Sequence, residues 1–114
     1  MNVKFTFRHM EKSAGMEQYA QDQLAKVERF LENEASPVTI EFIFEPSKVR
    51  EHHKVTLHVQ SPNYKLVSEY EHQGDDFYQT LDRVVDTMYR QLREAKERRV
   101  SDRNHPKDSI KKFE

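Results

Sequence analysis

Cationic side chains carry the strongest chemical signal in this sequence. Arg83, Arg90, Arg93 and Lys96 fall within FYQTLDRVVDTMYRQLREAKERR (77–99), Lys26 and Arg29 within QDQLAKVERFL (21–31), and Arg8 closes the alternating run NVKFTFR (2–8). A guanidinium offers a planar fork of donors that matches phosphate, and an ammonium offers a compact point charge, so the chemistry these residues share is the gripping of a polyanion. From Tyr89 to Arg99, five basic residues (Arg90, Arg93, Lys96, Arg98, Arg99) stand against two acidic ones (Glu94, Glu97), a local balance of +3. Asp22, Glu28, Asp86, Glu94 and Glu97 lie at spacings able to neutralise some of this charge through i, i+3 or i, i+4 pairs. Spacing alone leaves a salt-bridged surface and a phosphate-binding face both open. Tyr78 and Tyr89 likewise either stack on bases or pack their rings beside a core.

Other chemistries find less support. His52 and His58 share parity in a strand but stand roughly 20 Å apart at ~3.3 Å per residue, and adjacent His52 and His53 point to opposite faces, so no metal site is expected. The pair Asp75–Asp76 follows a glycine at a helix start, where capping explains carboxylates better than catalysis does. The serines lack a nucleophile-elbow context, and the only glycines, Gly15 and Gly74, are too few for a phosphate-cradling loop. The expectation is a protein with no catalytic residue, no cofactor and no small-molecule substrate.

These cations need elements to position them. Asn2 to His9 alternates as a half-buried strand with Val3, Phe5 and Phe7 on one face. Ser13 is a candidate N-cap for a helix over about 14–33, whose inward stripe is Met16, Ala20, Leu24, Val27 and Leu31, with Phe30 at its border. Ser36-Pro37 breaks that helix. VTIEFIFE (38–45), ended by Pro46, HKVTLHVQ (53–60) and YKLVSEYEH (64–72) read as three further strands. The last helix spans about 74–99, with Phe77, Leu81, Val84, Val85, Met88, Leu92 and Ala95 on its inward stripe and Arg83 and Arg90 opposite. The order β-α-β-β-β-α predicts an α+β two-layer sandwich, a four-stranded mixed sheet with both helices on one face. The first two strands should be parallel through a right-handed crossover and the others antiparallel. Residues 1–100 are expected to form one domain and 101–114 a flexible tail.

Composition narrows the setting. With a net charge of −1 over 114 residues, any nucleic-acid role must come from local clustering of cations, since the whole molecule is not a polycation. The absence of cysteine excludes a disulfide framework and thiolate metal sites. No apolar run approaches the ~20 residues that span a bilayer, and the alternating N-terminal residues contain no signal-peptide core. A cytoplasmic protein with no membrane partner is expected.

Two stretches resemble the ribosome hibernation-promoting factor and ribosome-associated inhibitor family in its short, single-domain form. DDFYQTLDRVVDTMYRQLREAKER is similar to the family's acidic pair, tyrosine, Leu-Asp step, Arg-Gln-Leu and basic run, with Asp76, Tyr78, Leu81, Asp82, Arg90, Gln91 and Leu92 at matching positions. LAKVERF (24–30) resembles the family's Leu-Ala-Lys-Leu-Glu-Lys-aromatic segment. The likeness covers roughly residues 1–100. Gln23 and Thr80 depart from the family's usual basic residue and alanine, and Glu94 and Glu97 interrupt the basic run. The resemblance implies a cytoplasmic factor, induced when growth slows in stationary phase or stress, that binds the small ribosomal subunit and its ribosomal RNA, as well as intact ribosomes. It would fill the channel of messenger RNA and tRNA and block translation by steric occlusion, without catalysis, and be monomeric off the ribosome. By position, Lys26, Arg29 and Arg90 match basic family residues and Arg8 a lysine or polar one, while Arg93 and Lys96 fall in the basic run. Longer members carry a C-terminal dimerisation domain that this sequence lacks, so it is not expected to pair ribosomes by itself.

Two alternatives stay open beside this. A double-stranded-RNA-binding module also packs two helices on one sheet face, although an acidic helix start repels phosphate. A homodimeric protein-interaction module, using the open sheet face of Thr39, Glu41, Ile43, Thr56 and His58, would account for the near-zero net charge.

Overall fold

The computed structural model describes residues 1–46, 52–73 and 76–104. Its elements follow the expected order: β1 (Asn2–Phe7), α1 (Ala14–Leu31), β2 (Thr39–Pro46), β3 (His52–Gln60), β4 (Lys65–Gln73) and α2 (Phe77–Asn104). The four strands lie in sheet order β1-β2-β3-β4. β1 runs parallel to β2, with Val3 opposite Ile40 and Phe5 opposite Phe42. The β2–β3 and β3–β4 pairs are antiparallel, and Phe42 faces Leu57, which in turn faces Ser68. The α+β sandwich with a mixed sheet is the fold that the alternation and the helical stripes predict.

Side-chain parity decides which sheet face is covered. Ile40, Phe42 and Phe44 of β2 and Val55, Leu57 and Val59 of β3 are buried against Leu24, Val27 and Leu31 of α1 and Leu81, Val84, Val85, Met88 and Leu92 of α2. Each such side chain contributes about 1.5–3 kcal/mol on leaving water. Ser68, on the same face of β4, is buried but satisfied, its hydroxyl donating to the Val84 carbonyl at 2.9 Å. On the opposite face, Ile43 and Thr56 are also nearly covered. They lie beneath polar cross-links: Thr6 Oγ1 donates to Glu41 at 2.8 Å, and Lys54 pairs with Glu69 at 3.1 Å.

Local capping fixes where the helices start. Ser13 accepts a hydrogen bond from the Met16 amide at 3.2 Å and so caps α1. Asp76 and Gln79 form a reciprocal capping box on α2: the Gln79 amide donates to Asp76 Oδ1 at 2.8 Å, and the Asp76 amide donates to Gln79 Oε1 at 3.1 Å. Asp75 lies outside the described residues. α1 ends at Leu31, two residues before the expected limit, and the Glu32 amide turns back to the Arg29 carbonyl at 3.4 Å. α2 runs to Asn104, five residues past the helix end expected at residue 99. No proline or glycine interrupts it before Pro106, and helices end at or before the residue preceding a proline.

Topology also sets helix direction. β1, β2 and β4 share one direction, so α1 and α2 leave the same end of the sheet and run side by side in parallel. Their rungs ascend together: Tyr19 meets Asp82, Lys26 meets Asp86 and Phe30 meets Tyr89. Both C-termini, with their partial negative charge, therefore point the same way, and α2 runs on about 22 Å past the level at which α1 ends.

Candidate nucleic-acid interface

Because the helices are parallel, the basic residues late in each are brought to the same end. Lys26 lies about one and a half turns before the end of α1, with Arg29 exposed three residues further on. Tyr89 of α2 sits between two cations: Lys26 Nζ is 5.4 Å and the Arg93 guanidinium 5.9 Å from its ring centroid. One turn on, Lys96 Nζ lies 5.5 Å from the Phe30 ring, and Arg99 lies 5.6 Å from the Tyr64 ring at the start of β4. Phe30 joins the rings into a row, edge to face with Tyr89 at 6.2 Å and with Tyr64 at 5.9 Å. The groove between the helices thus has an aromatic floor with cations over each ring, an arrangement that holds long basic side chains in place while their heads stay in water. Arg90 is exposed on the outer face, one residue past Tyr89.

Two of the five acidic neighbours accept from glutamines, and the candidate cations between the helices lie clear of carboxylates with one exception. Gln18 donates to Asp22 at 3.0 Å, and Gln21 to Glu28 at 3.3 Å. Lys26 is the exception, in contact with Asp86 across the helix interface. Among the described residues, no carboxylate lies within ion-pair distance of Arg29, Arg90, Arg93 or Lys96. The i, i+3 and i, i+4 neutralisation that spacing allowed is therefore largely unused.

Two of the candidate residues stand apart. Arg83 leans over the far flank of α2, its guanidinium 5.2 Å from the ring of Tyr70 on the edge strand β4. Arg8 follows β1, its amide bonded to the Phe44 carbonyl at 2.9 Å. Phe44 packs against Phe77 at the start of α2, and nineteen residues of helix at ~1.5 Å each put that end about 28 Å from Lys96. Tyr78 also sits at this far end, edge to face with Tyr19 at 5.0 Å, so it does not join the aromatic row.

Sequence reasoning passed over Glu34, Asn63 and Tyr64. Glu34, just past α1, accepts from Ser61 Oγ at 2.6 Å and from Asn63 Nδ2 at 3.1 Å, and Arg99 donates to Asn63 Oδ1 at 3.1 Å. Partial burial pushes the Glu34 carboxyl up, but the bonds from Ser61 and Asn63 and the charge of Arg99 outweigh it, and the net shift is downward. No local pattern announces this knot, because its members are brought together from the end of α1, the β3–β4 turn and late α2. At the other end, the Tyr19 hydroxyl donates to both oxygens of Asp82, at 2.8 and 3.1 Å. That bond, then burial, raises the tyrosine above its ordinary value of 10.0.

Other chemistry is thinly represented. The His53 ring packs on Phe77 at 4.4 Å while His58 is exposed on the opposite face, and the side chain of His52 lies outside the described residues. Among the described residues, no group of three or more His, Asp or Glu side chains is arranged to hold a metal, and no helix is long and apolar enough to cross a membrane.

Fold and groove together define a small two-layer α+β protein that presents cations on aromatic rings between parallel helices. The family described as Sigma 54 modulation protein / S30EA ribosomal protein matches residues 3–100, and the chain belongs to that family, the one its two helical motifs resemble. It is 28% identical over 101 residues to the ribosome hibernation promoting factor of Pseudomonas putida, covering 89% of this chain and 92% of that one. Among solved structures, the N-terminal domain of Thermus thermophilus Protein Y superposes with a TM-score of 0.67 at 21% identity, over 82% of this chain and 98% of that one. A ribosomal subunit interface protein from Coxiella burnetii gives 0.68 at 20% identity, over 85% and 99%. At those identities the two structures establish the shared fold.

Proposed function

We propose that this chain is a ribosome hibernation factor of the cytoplasm. It binds the small ribosomal subunit in the channel of messenger RNA and tRNA and blocks translation by occupying that space, with no chemical step. The observation that carries this reading is the groove: Lys26, Arg93 and Lys96 gathered over Tyr89 and Phe30, flanked by exposed Arg29 and Arg90. Phosphates suit the guanidinium forks and unpaired bases suit the rings. Arg8 and Arg83 flank this centre and make outlying contacts. Family membership and the Pseudomonas relative support the ribosome as partner, and expression in stationary phase or stress fits such a role.

Asp76 at the N-cap of α2 disfavours the duplex-RNA alternative, because a carboxylate stands where that module places positive charge. The test is sedimentation of the full chain with purified 30S subunits and 70S ribosomes over a series of salt concentrations. Co-migration at low salt that weakens as salt rises is expected, because each phosphate contact releases counterions. Competition with messenger RNA and initiator tRNA then locates the site. A chain that stays at the top of the gradient at low salt, or that binds without excluding either ligand, overturns the proposal.

A further inference from the structure

Arg99 differs from its neighbours in the basic run, for it is half-buried while Arg93, Lys96 and Arg98 are exposed. Its guanidinium lies 5.6 Å from the Tyr64 ring and donates to Asn63 Oδ1 at 3.1 Å. Two contacts from the β3–β4 turn thus restrain a side chain that is otherwise rich in rotamers. The turn is itself stiff. Pro62 fixes its own φ, the Ser61 amide donates to the Tyr64 carbonyl at 2.7 Å, and the Tyr64 amide donates back to Ser61 Oγ at 3.1 Å. Glu34 ties this turn to the end of α1. It accepts from Ser61 Oγ at 2.6 Å, from Asn63 Nδ2 at 3.1 Å and from the Asn63 backbone amide.

We propose that Glu34 and Asn63 are positioning residues for Arg99, which grips an RNA phosphate beside Lys96 at the end of the groove. An ionised carboxylate only accepts, so Glu34 holds the Asn63 amide with Nδ2 inward and Oδ1 toward the guanidinium. Glu34 itself makes no ion pair with Arg99. A neutral amide stands between them and passes on orientation without quenching the cation. One of the five guanidinium donors goes to Asn63, and the others remain for a phosphate. Lys96 and Arg99 are i, i+3 neighbours on α2, and their rings adjoin, with Lys96 over Phe30 and Phe30 edge to face with Tyr64. The two cationic heads are thereby set side by side. That the polyanion is ribosomal RNA rests on the function proposed above.

Binding of the full chain to poly(U) and to purified 30S subunits over a series of salt concentrations tests this. On poly(U), Arg99→Ala should lower the magnitude of the salt slope by about 0.7, one phosphate contact, and the affinity by about three- to ten-fold. Asn63→Ala should do nearly the same, and adding it to Arg99→Ala should cost nothing further. Among the described residues only His9 combines a side chain with a positive φ, so alanine fits at Asn63 without backbone strain. Glu34→Gln discriminates by sign. Removing a negative charge by itself tightens polyanion binding. A glutamine amide, however, donates as well as accepts, so the Asn63 amide is free to turn over and set Nδ2 against the guanidinium. Weaker binding is therefore expected, with urea midpoints confirming that each variant is folded. Losses that add in the double variant, or unchanged or tighter binding in Asn63→Ala or Glu34→Gln, overturn the proposal. The expected pattern on poly(U) in a chain that never joins 30S subunits sinks only the proposed function, and a chain that binds neither overturns both.

Discussion

Single side chains show where this surface is tuned and where it is compromised. Asp86 holds Lys26 across the helix interface, so part of the groove's charge is spent internally before any polyanion arrives. Both partners keep contact with solvent, with Lys26 39% and Asp86 69% exposed in their side chains, which limits the pair to about 0.2–1 kcal/mol. Asp86→Asn should therefore change stability little and tighten ribosomal RNA binding by about two- to five-fold, read by filter binding at fixed salt. Unchanged or weaker binding would show that Lys26 is held ready by Asp86 rather than restrained by it. Thr80 presents the opposite case. It is fully buried on α2, and its hydroxyl has no hydrogen-bond partner among the described residues. An unsatisfied buried hydroxyl costs about 1–3 kcal/mol, and valine fills the same shape without it. Thr80→Val should raise the urea midpoint by the equivalent of about 1 kcal/mol at unchanged slope, and a lower midpoint would reveal a partner for the hydroxyl.

At the scale of elements, local patterns and long-range junctions differed in how readily they could be read. Period-2 alternation and the 3.6-residue stripes named the strands, the helices and nearly the whole core, because burial of one face is written into each segment by itself. Ser13 and Asp76 were legible as caps for the same reason. Both helix C-termini differ from the expected ends, α1 by two residues and α2 by five, since Glu32 and Val100 to Asn104 carry no strong stop signal. The knot of Glu34, Ser61, Asn63 and Arg99 was not legible at all, because its partners lie 27 to 36 residues apart and meet only through the fold. This junction also sets an acid limit. Glu34 is shifted below 4.5 in the folded protein, so its contribution is fully present above that value and is lost as pH falls through the lower, folded value. Urea midpoints measured downward from pH 6 should fall in that window, and Glu34→Gln should flatten that part of the profile. An equally steep fall in the variant would place the acid sensitivity elsewhere.

For the whole molecule, a net charge of −1 coexists with a concentrated basic groove because topology sorts the charges. Parallel helices point both negative dipole ends the same way, with Arg29 in the last turn of α1 and Arg93, Lys96 and Arg99 in the part of α2 that runs on beyond it, while Asp76 and Ser13 sit at the opposite, positive ends. Lys26, Arg93 and Lys96 were candidates in the sequence while Arg99 was only counted in its charge run, and the partition was not legible, because which flank of α2 an arginine leans toward depends on neighbours such as Tyr70 and Tyr89 that only the sheet brings near. That partition makes a graded prediction. Arg93→Glu combined with Lys96→Glu should remove two central contacts, lowering the magnitude of the salt slope of ribosomal RNA binding by about 1.4 to 1.8, and affinity with it. Arg8→Glu, about 28 Å away along α2, and Arg83→Glu, on the far flank, should each remove at most one outlying contact and lower it by less than about 0.9. All four positions are exposed, so urea midpoints close to that of the unaltered chain are expected and separate lost binding from lost folding. If Arg8→Glu or Arg83→Glu proves as damaging as the double reversal, the polyanion wraps around the sheet edges and the inter-helical groove is not its principal seat.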